Sequence, residues 1–145
     1  MLPDSIELII VTPERQLLRE NVVEVTLPGA SGELGVLPGH APLMTELGIG
    51  ELSYKSAGAN AKPGIAVIQG FAEVLGDRVT VLAETAERAA EIDLARAEAA
   101  KHRAEQKLSA GDPNIDWDVA RIALQRALIR IQVARKYRGV SGESQ

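Results

Sequence analysis

Two patterns of hydrophobic and polar positions divide this chain. Between residues 6 and 83 apolar residues come in short stretches that alternate with polar ones, as in Ile6, Leu8, Ile10 and again in Val23, Val25, Leu27. A period of two sets one side of the chain against a core and the other toward water, which is the pattern of a half-buried strand. Further strands are predicted at 32–37, 42–47, 50–56, 65–69, 71–75 and 79–83, separated by Gly48, Gly58, Gly64, Gly70 and Gly76-Asp77. No helical crossover lies between them, which favours a β-sandwich over an α/β fold.

After Glu84 the composition turns to alanine, glutamate, lysine and arginine with few glycines, marking a boundary between domains of residues 1–86 and 87–145. Residues 92–108 have high helix propensity, and Ala97, Ala100, Ala104 and Leu108 line one face. A second helix is predicted from Asp116, a good N-cap with Asp118 in the first turn, to Gly139. Within it Ala120, Leu124, Ala127, Ile131 and Ala134 recur at alternating spacings of four and three, and the short link at 109–113 predicts an antiparallel hairpin. Ile122, Ile129 and Val133 fall off that stripe, leaving apolar surface for the sandwich or for another chain. The predicted architecture is β + α: an N-terminal β-sandwich followed by a C-terminal antiparallel two-helix hairpin.

Composition removes several function classes. The 145 residues contain no cysteine and two histidines, His40 and His102, so a disulfide framework, a thiolate nucleophile and a histidine metal site are not expected. His102 is expected to face solvent, and Trp117 to anchor the end of the hairpin. No run of about 18 apolar residues and no secretory leader pattern is present, so the expected setting is cytosolic unless a partner holds the chain at a membrane. The net charge of −4 divides unevenly, with 11 acids against 5 bases in residues 1–86 and 9 against 11 in 87–145. An acidic first half and a weakly basic second half without aromatic interleaving argue against nucleic acid. An independent phosphohydrolase fares badly too, with no Gly-x-x-x-x-Gly-Lys-Ser/Thr loop and no metal-ligand cluster.

Candidate binding chemistry lies in the arginines of the hairpin. Arg88, Lys101 and Arg121 have acids at helical spacing in Glu91, Glu98 and Asp118, whereas Arg103, Arg126 and Arg130 have none. Arg126 and Arg130 stand four apart, one above the other, and Arg96 and Arg103 stand seven apart on a flank of the first helix. If those flanks meet, four guanidiniums surround one groove, with Asp93 one turn before Arg96 and with Ile92 and Ala97 offering apolar surface to a flat ring. Forked guanidinium donors match phosphate oxygens at every relevant pH. The same arginines also fit a solvated face whose stems cover the hairpin. In the sandwich, residues 32–42 hold two prolines and three glycines, a loop of definite shape. It reads either as a structural corner or as a docking edge presenting Glu33 and His40.

The segments Val11-Thr12-Pro13, Gly32-Glu33-Leu34-Gly35-Val36-Leu37-Pro38-Gly39-His40-Ala41-Pro42, Gly70-Phe71-Ala72-Glu73-Val74 and Val79-Thr80-Val81-Leu82-Ala83-Glu84-Thr85-Ala86 resemble the epsilon-subunit family of bacterial F-type ATP synthases, whose counterparts include the mitochondrial delta subunit. The resemblance covers nearly the whole chain. It implies a non-catalytic subunit of the rotor's central stalk, peripheral to the cytoplasmic face of the plasma membrane and monomeric when isolated. It implies contact with the gamma subunit and the c-ring, with Glu33 and His40 near the polar loops of the ring. The helices are expected to restrain ATP hydrolysis when they extend along gamma toward the alpha and beta subunits. Some bacterial members bind ATP in the folded hairpin through a motif that reads here Ile92-Asp93-Leu94-Ala95-Arg96-Ala97, and the flanking positions match as Glu87, Arg103, Arg126 and Arg130. ATP would then be a regulatory ligand favouring the folded hairpin, and no cofactor is required. The connection at Asp112-Pro113-Asn114-Ile115 is longer than the family's usual one, which bears on whether the four arginines share a level.

Overall fold

The computed structural model describes residues 2–59 and 63–143. Seven strands lead into two helices among the described residues: β1 (Ile6–Val11), β2 (Gln16–Val22), β3 (Glu24–Gly29), β4 (Gly32–Val36), β5 (Leu43–Lys55), β6 (Gly64–Val74), β7 (Arg78–Arg88), a 3-10 turn at Ala89–Glu91, α1 (Leu94–Ser109) and α2 (Trp117–Glu143). The sheet order is β2-β1-β7-β6-β5-β3-β4. Its pairs are antiparallel except for β1 against β7.

One continuous sheet becomes a two-layered sandwich because its three long strands change face along one line. In β5 the core side chains are Leu47 before the change and Leu52 and Tyr54 after it; in β6 Ile65 and Val67, then Ala72 and Val74; in β7 Val79, Val81 and Ala83, then Ala86. Odd and even positions exchange sides in each strand, which a regular pleat forbids. The break falls at Gly48, at Gln69-Gly70 and at Glu84, where one pair drops out of the β5–β6 and β6–β7 ladders without any shift of register. Gln69 and Gly70 both take positive φ, 54° and 145°. A Cβ on Gly70 would stand 2.1 Å from the Leu82 carbonyl oxygen, so the line of bends requires a bare backbone there.

These irregularities account for the departures from the sequence pattern. Predicted strands 42–47 and 50–56 are one strand, β5, and 65–69 and 71–75 are likewise β6, because the chain changes face at the glycines between them without turning back. β7 runs past the predicted end at 83 to Arg88, beyond the expected domain boundary at 86, its alternation resuming at Ala86 after the break at Glu84. β2 was outside the pattern altogether. Its register slips between Ile10 and Val11, which pair with Leu18 and Gln16, so Leu17 is inserted and both leucines are buried side by side. At the other end of the chain the helix predicted to stop at Gly139 continues to Glu143.

In the first half of β6 the residues Ile65, Ala66, Val67 and Ile68 are buried without alternation. Ile65 and Val67 face the sandwich core, whereas Ala66 faces outward beneath α2 and joins Ile92, Val133, Ala134 and Tyr137 in a second, small cluster. Of the apolar positions off the main stripe of α2, Ile129 and Val133 therefore find their partner in the sandwich, whereas Ile122 borders an open cleft beside it. The main stripe itself packs on α1, with Ala97 and Ala104 of α1 and Ala120, Ala127 and Ile131 of α2 buried. Asp116 caps α2 as predicted, its carboxylate accepting from the Asp118 and Val119 amides at 3.1 and 3.2 Å.

Gly70→Ala is expected to lower stability by about 2 kcal/mol or more, through strain at a positive φ and the overlap with Leu82. Gly35→Ala, where an added Cβ meets nothing within 4 Å, should be close to neutral. Urea unfolding of the two variants compares them; equal losses would contradict this account of the bend.

Candidate functional site

The chain reaches the hairpin through a clamped hinge. The turn between β1 and β2 is closed by the Thr12 amide donating to the Arg15 carbonyl at 2.9 Å, and this sets Arg15 over the 3-10 turn. Its guanidinium grips the Glu91 carboxylate with two bonds of 2.7 and 3.0 Å. Glu91 also accepts from the Arg88 amide at 2.9 Å, while the Arg88 guanidinium donates to the Leu17 carbonyl at 2.7 Å. The expected side-chain pair of Arg88 with Glu91 is thus replaced, because Glu91 lies at a turn and faces Arg15. The Arg15 guanidinium, and after it the Arg88 amide, hold the Glu91 carboxyl below its usual range despite partial desolvation.

Beyond the clamp Ile92 and Asp93 are extended, and α1 begins with the Asp93 carboxylate accepting the Arg96 amide at 3.1 Å. From there α1 packs along α2, and α2 rests on the 3-10 turn, β6 and β5. Polar contacts flank the small apolar cluster. Arg130 of α2 forms a two-pronged pair with Glu87 of β7 at 2.8 and 3.2 Å, both side chains about three-quarters buried. At the far end of α2, Lys136 and Tyr137 both donate to Glu51 of β5. Between and beside these contacts the fit is open, with clefts of about 750 Å³ and 570 Å³ between the sheet and α2.

The nucleotide-site residues expected from the sequence are only partly assembled. Glu87 and Arg130 are together, but as partners of each other, so the acid that Arg130 lacks on its own helix is supplied by a carboxylate of the sandwich. Ile92 and Ala97 are buried, at 8% and 0% exposure, and Ile92 already packs against Val133 and Tyr137. Asp93 serves as the cap of α1. The side chains of Arg96, Arg103 and Arg126 are exposed, and no ion pair engages them among the described residues. Arg103 borders a hollow of about 440 Å³ at the hairpin tip, together with Lys107, Asp112 and Val119, away from Arg130. Of the expected helical pairs, Arg121 with Asp118 is present at 3.0 Å. Glu98 instead pairs across the hairpin with Arg135.

Glu33 and His40 are not neighbours. Glu33 is exposed near the start of β4 and borders the cleft beneath α2. His40 lies four residues past the end of that strand, in a turn where its amide donates to the Leu37 carbonyl at 3.1 Å and Gly39 donates to Gly76 at 2.7 Å. This turn therefore sits beside the β6–β7 turn. Trp117 is 57% exposed at the start of α2, so it does not anchor the hairpin end.

Sequence reasoning missed Glu51, Arg15 and Tyr137. For Tyr137 a signal existed, since Ile129, Val133 and Tyr137 recur every four residues on the face that meets the sandwich. Nothing local marks Arg15 or Glu51, whose partners lie 76 and 86 residues away.

Below the ordinary glutamate value of 4.5 the Arg15–Glu91 clamp should fail. A folded-state value lower than the unfolded one gives stabilisation that is complete above the unfolded value and is lost as pH falls through the folded one. Arg15→Ala should therefore be less stable than the parent at pH 6, with the gap closing as the pH falls below 4.5. A gap that stays constant from pH 6 to pH 3, followed by urea unfolding, would contradict the clamp.

The comparisons with known proteins agree with this two-part build. Residues 5–89 match the ATP synthase delta/epsilon chain β-sandwich domain, and residues 90–135 match the ATP synthase delta/epsilon chain long α-helix domain. The ATP synthase epsilon chain of Geobacter sulfurreducens is 52% identical over 134 residues, covering 92% of this chain and 96% of that one. That of Geotalea uraniireducens is 51% identical over the same share of each. A chain in the Euglena gracilis mitochondrial ATP synthase assembly of OSCP, F1 and c-ring superposes with a TM-score of 0.75 at 28% identity, covering 86% of this chain and 78% of its own length. With both domains matched in order and half the residues shared with curated relatives over nearly their full length, the chain belongs to the ATP synthase delta/epsilon family, as an epsilon chain.

Proposed function

We propose that this epsilon chain is a non-catalytic rotor subunit that couples gamma to the c-ring for proton-driven ATP synthesis, and whose hairpin is a releasable arm that restrains ATP hydrolysis. The observation that carries this reading is how lightly the arm is held. Among the described residues, one cluster of five buried residues and the contacts of Arg130 with Glu87 and of Lys136 and Tyr137 with Glu51 dock α2, with open clefts beside them. Interfaces of this kind within a chain permit relative motion. Released, the arm exposes Ile129, Val133 and the alanine-rich hairpin to gamma and to the alpha and beta subunits.

The sandwich offers the fixed half of the coupling. On its outer face Met44, Phe71 and Leu82 are 68%, 55% and 56% exposed. Phe71 lies directly across from Leu82, and Met44 lies diagonal to Phe71. A groove of about 770 Å³ runs beside them along the line of bends. An apolar patch on a bulged sheet fits a permanent protein partner, here gamma. It also argues against a free-standing nucleotide sensor, which would have no use for it. The turn at His40 and the edge at Glu33 are proposed contacts of the ring's polar loops, and through them the chain sits at the cytoplasmic face of the membrane.

Regulatory ATP binding remains the reading of the arginines, with one condition added. Arg96, Arg103 and Arg126 have exposed guanidiniums available to phosphate, while Arg130 would have to exchange the Glu87 carboxylate for it. A ligand shifts the arm only by its preference for one state, so such an exchange would tie nucleotide to docking.

Calorimetric titration of ATP into the purified chain, with Arg103→Ala and Arg126→Ala beside it, tests the nucleotide role. Saturable binding that weakens about tenfold or more in both variants is expected, in keeping with loss of a charged hydrogen-bonding group. No heat at millimolar ATP would remove the sensor role and leave these arginines for the acidic surfaces of other subunits.

A further inference from the structure

The far end of α2 is fixed by a contact of unusual closeness. The Tyr137 ring packs against the bare backbone of Gly64 in β6. A Cβ built on Gly64 would fall 2.1 Å from Cε2, 2.6 Å from Cζ and 2.8 Å from Cδ2 of that ring, and these are the nearest atoms it would meet. The ring is 8% exposed. Its hydroxyl donates to Glu51 of the neighbouring strand β5, whose side chain is only 14% exposed. Lys136 closes the group from above, its Nζ 3.4 Å from the same carboxylate and 5.3 Å from the centre of the Tyr137 ring.

We propose that Gly64, Tyr137 and Glu51 form a latch that sets how much of the hairpin is docked on the sandwich. This rests on the releasable-arm reading and assigns the residues that hold the arm. The physical case has two parts. Glu51 is a nearly buried carboxylate, and α2 supplies its donors, so lifting α2 leaves the charge to water or to nothing; charge-assisted bonds of this kind are the strong ones. Gly64 is the complementary half: the ring reaches β6 only because no side chain stands there, and a van der Waals contact of this closeness tolerates no added carbon. Burial and the nearby carboxylate push the Tyr137 hydroxyl upward, so it remains a donor throughout the physiological range.

The latch is distinct from the pair of Glu87 with Arg130. Both lie near the hinge, since Tyr137 packs with Ile92 and Gly64 stands next to Ile65, the partner of Arg88 in β7. They fix α2 at separate points, so each contact is tested by its own variant.

Because the chain has no cysteine, spin labels can be placed at Glu73→Cys on the sandwich and Glu105→Cys on α1 alone, and the distance distribution of the full chain read by double electron–electron resonance. The parent should give one short distance. Tyr137→Phe and Gly64→Val should each add a long-distance population, raised about tenfold or more over the parent. Gly64→Val combined with Tyr137→Ala should release no more arm than Tyr137→Ala alone, because the added side chain acts only through the ring. Unchanged distances in Tyr137→Phe and Gly64→Val, with release in Arg130→Ala, would overturn the latch and keep the arm. Unchanged distances in all three would overturn both. Tyr137→Phe adds no atom, so it keeps the test open should Gly64→Val fail to fold.

Discussion

The constraint on which the rest of this molecule depends is the small apolar contact between Ala66, Ile92, Val133, Ala134 and Tyr137. It joins two parts that are each well packed. The sandwich closes its own core with side chains from all seven strands, and the helices close theirs with alanines. What remains between them is one alanine of β6 beneath one face of α2, with carboxylates at both ends. Glu87 and Glu51 come from the sandwich, and the cations and hydroxyl that meet them come from α2. The attachment is thus specific in place and modest in extent, which suits the releasable arm proposed above.

The bend in the sheet is the second organising feature, and it connects the fold to its partners. Breaks in the pleat at Gly48, Gln69-Gly70 and Glu84 turn the three long strands together, with their register kept. Before the bend β6 is buried on both faces because α2 covers it; after the bend the outer face is bare and carries Phe71 and Leu82. One set of strands therefore presents the hairpin on one side of the line and an apolar patch on the other. The two lie on the same backbone, so in the proposed arrangement a subunit gripping the patch would hold the base of the hairpin.

Much of this was legible in the residues. Alternation at Ile6, Leu8 and Ile10 and at Val23, Val25 and Leu27 marked strands correctly, and the spacing of Ala120, Ala127 and Ile131 marked the helix–helix face, while Ala134 of the same stripe joins the contact with the sandwich. Ile129 and Val133, left over from that stripe, pointed to a further contact that proved to be the sandwich. The failures share a cause. A period of two breaks where a bulge inserts a residue, as at Leu17-Leu18 in β2, and where a strand changes face, so Gly48 and Gly70 looked like turns. The arginines show the other limit. Spacing along a helix identifies partners on that helix, and it left Arg130 without one because Glu87 is 43 residues away on a strand. The four-arginine groove foreseen in the hairpin is accordingly three exposed guanidiniums and one engaged, a difference set by tertiary contact rather than by any local rule.

The central claim is that the hairpin is a separately opening unit held on the sandwich by a small interface. Native-state amide hydrogen exchange under increasing urea tests it most directly, since cooperative units reveal themselves by shared opening free energies. The account predicts that amides of α1 and α2 join one opening that is smaller in free energy and in urea dependence than the opening of β1, β6 and β7. A single opening common to the helices and the core strands would contradict it, and would make the hairpin an integral layer of the fold rather than an arm.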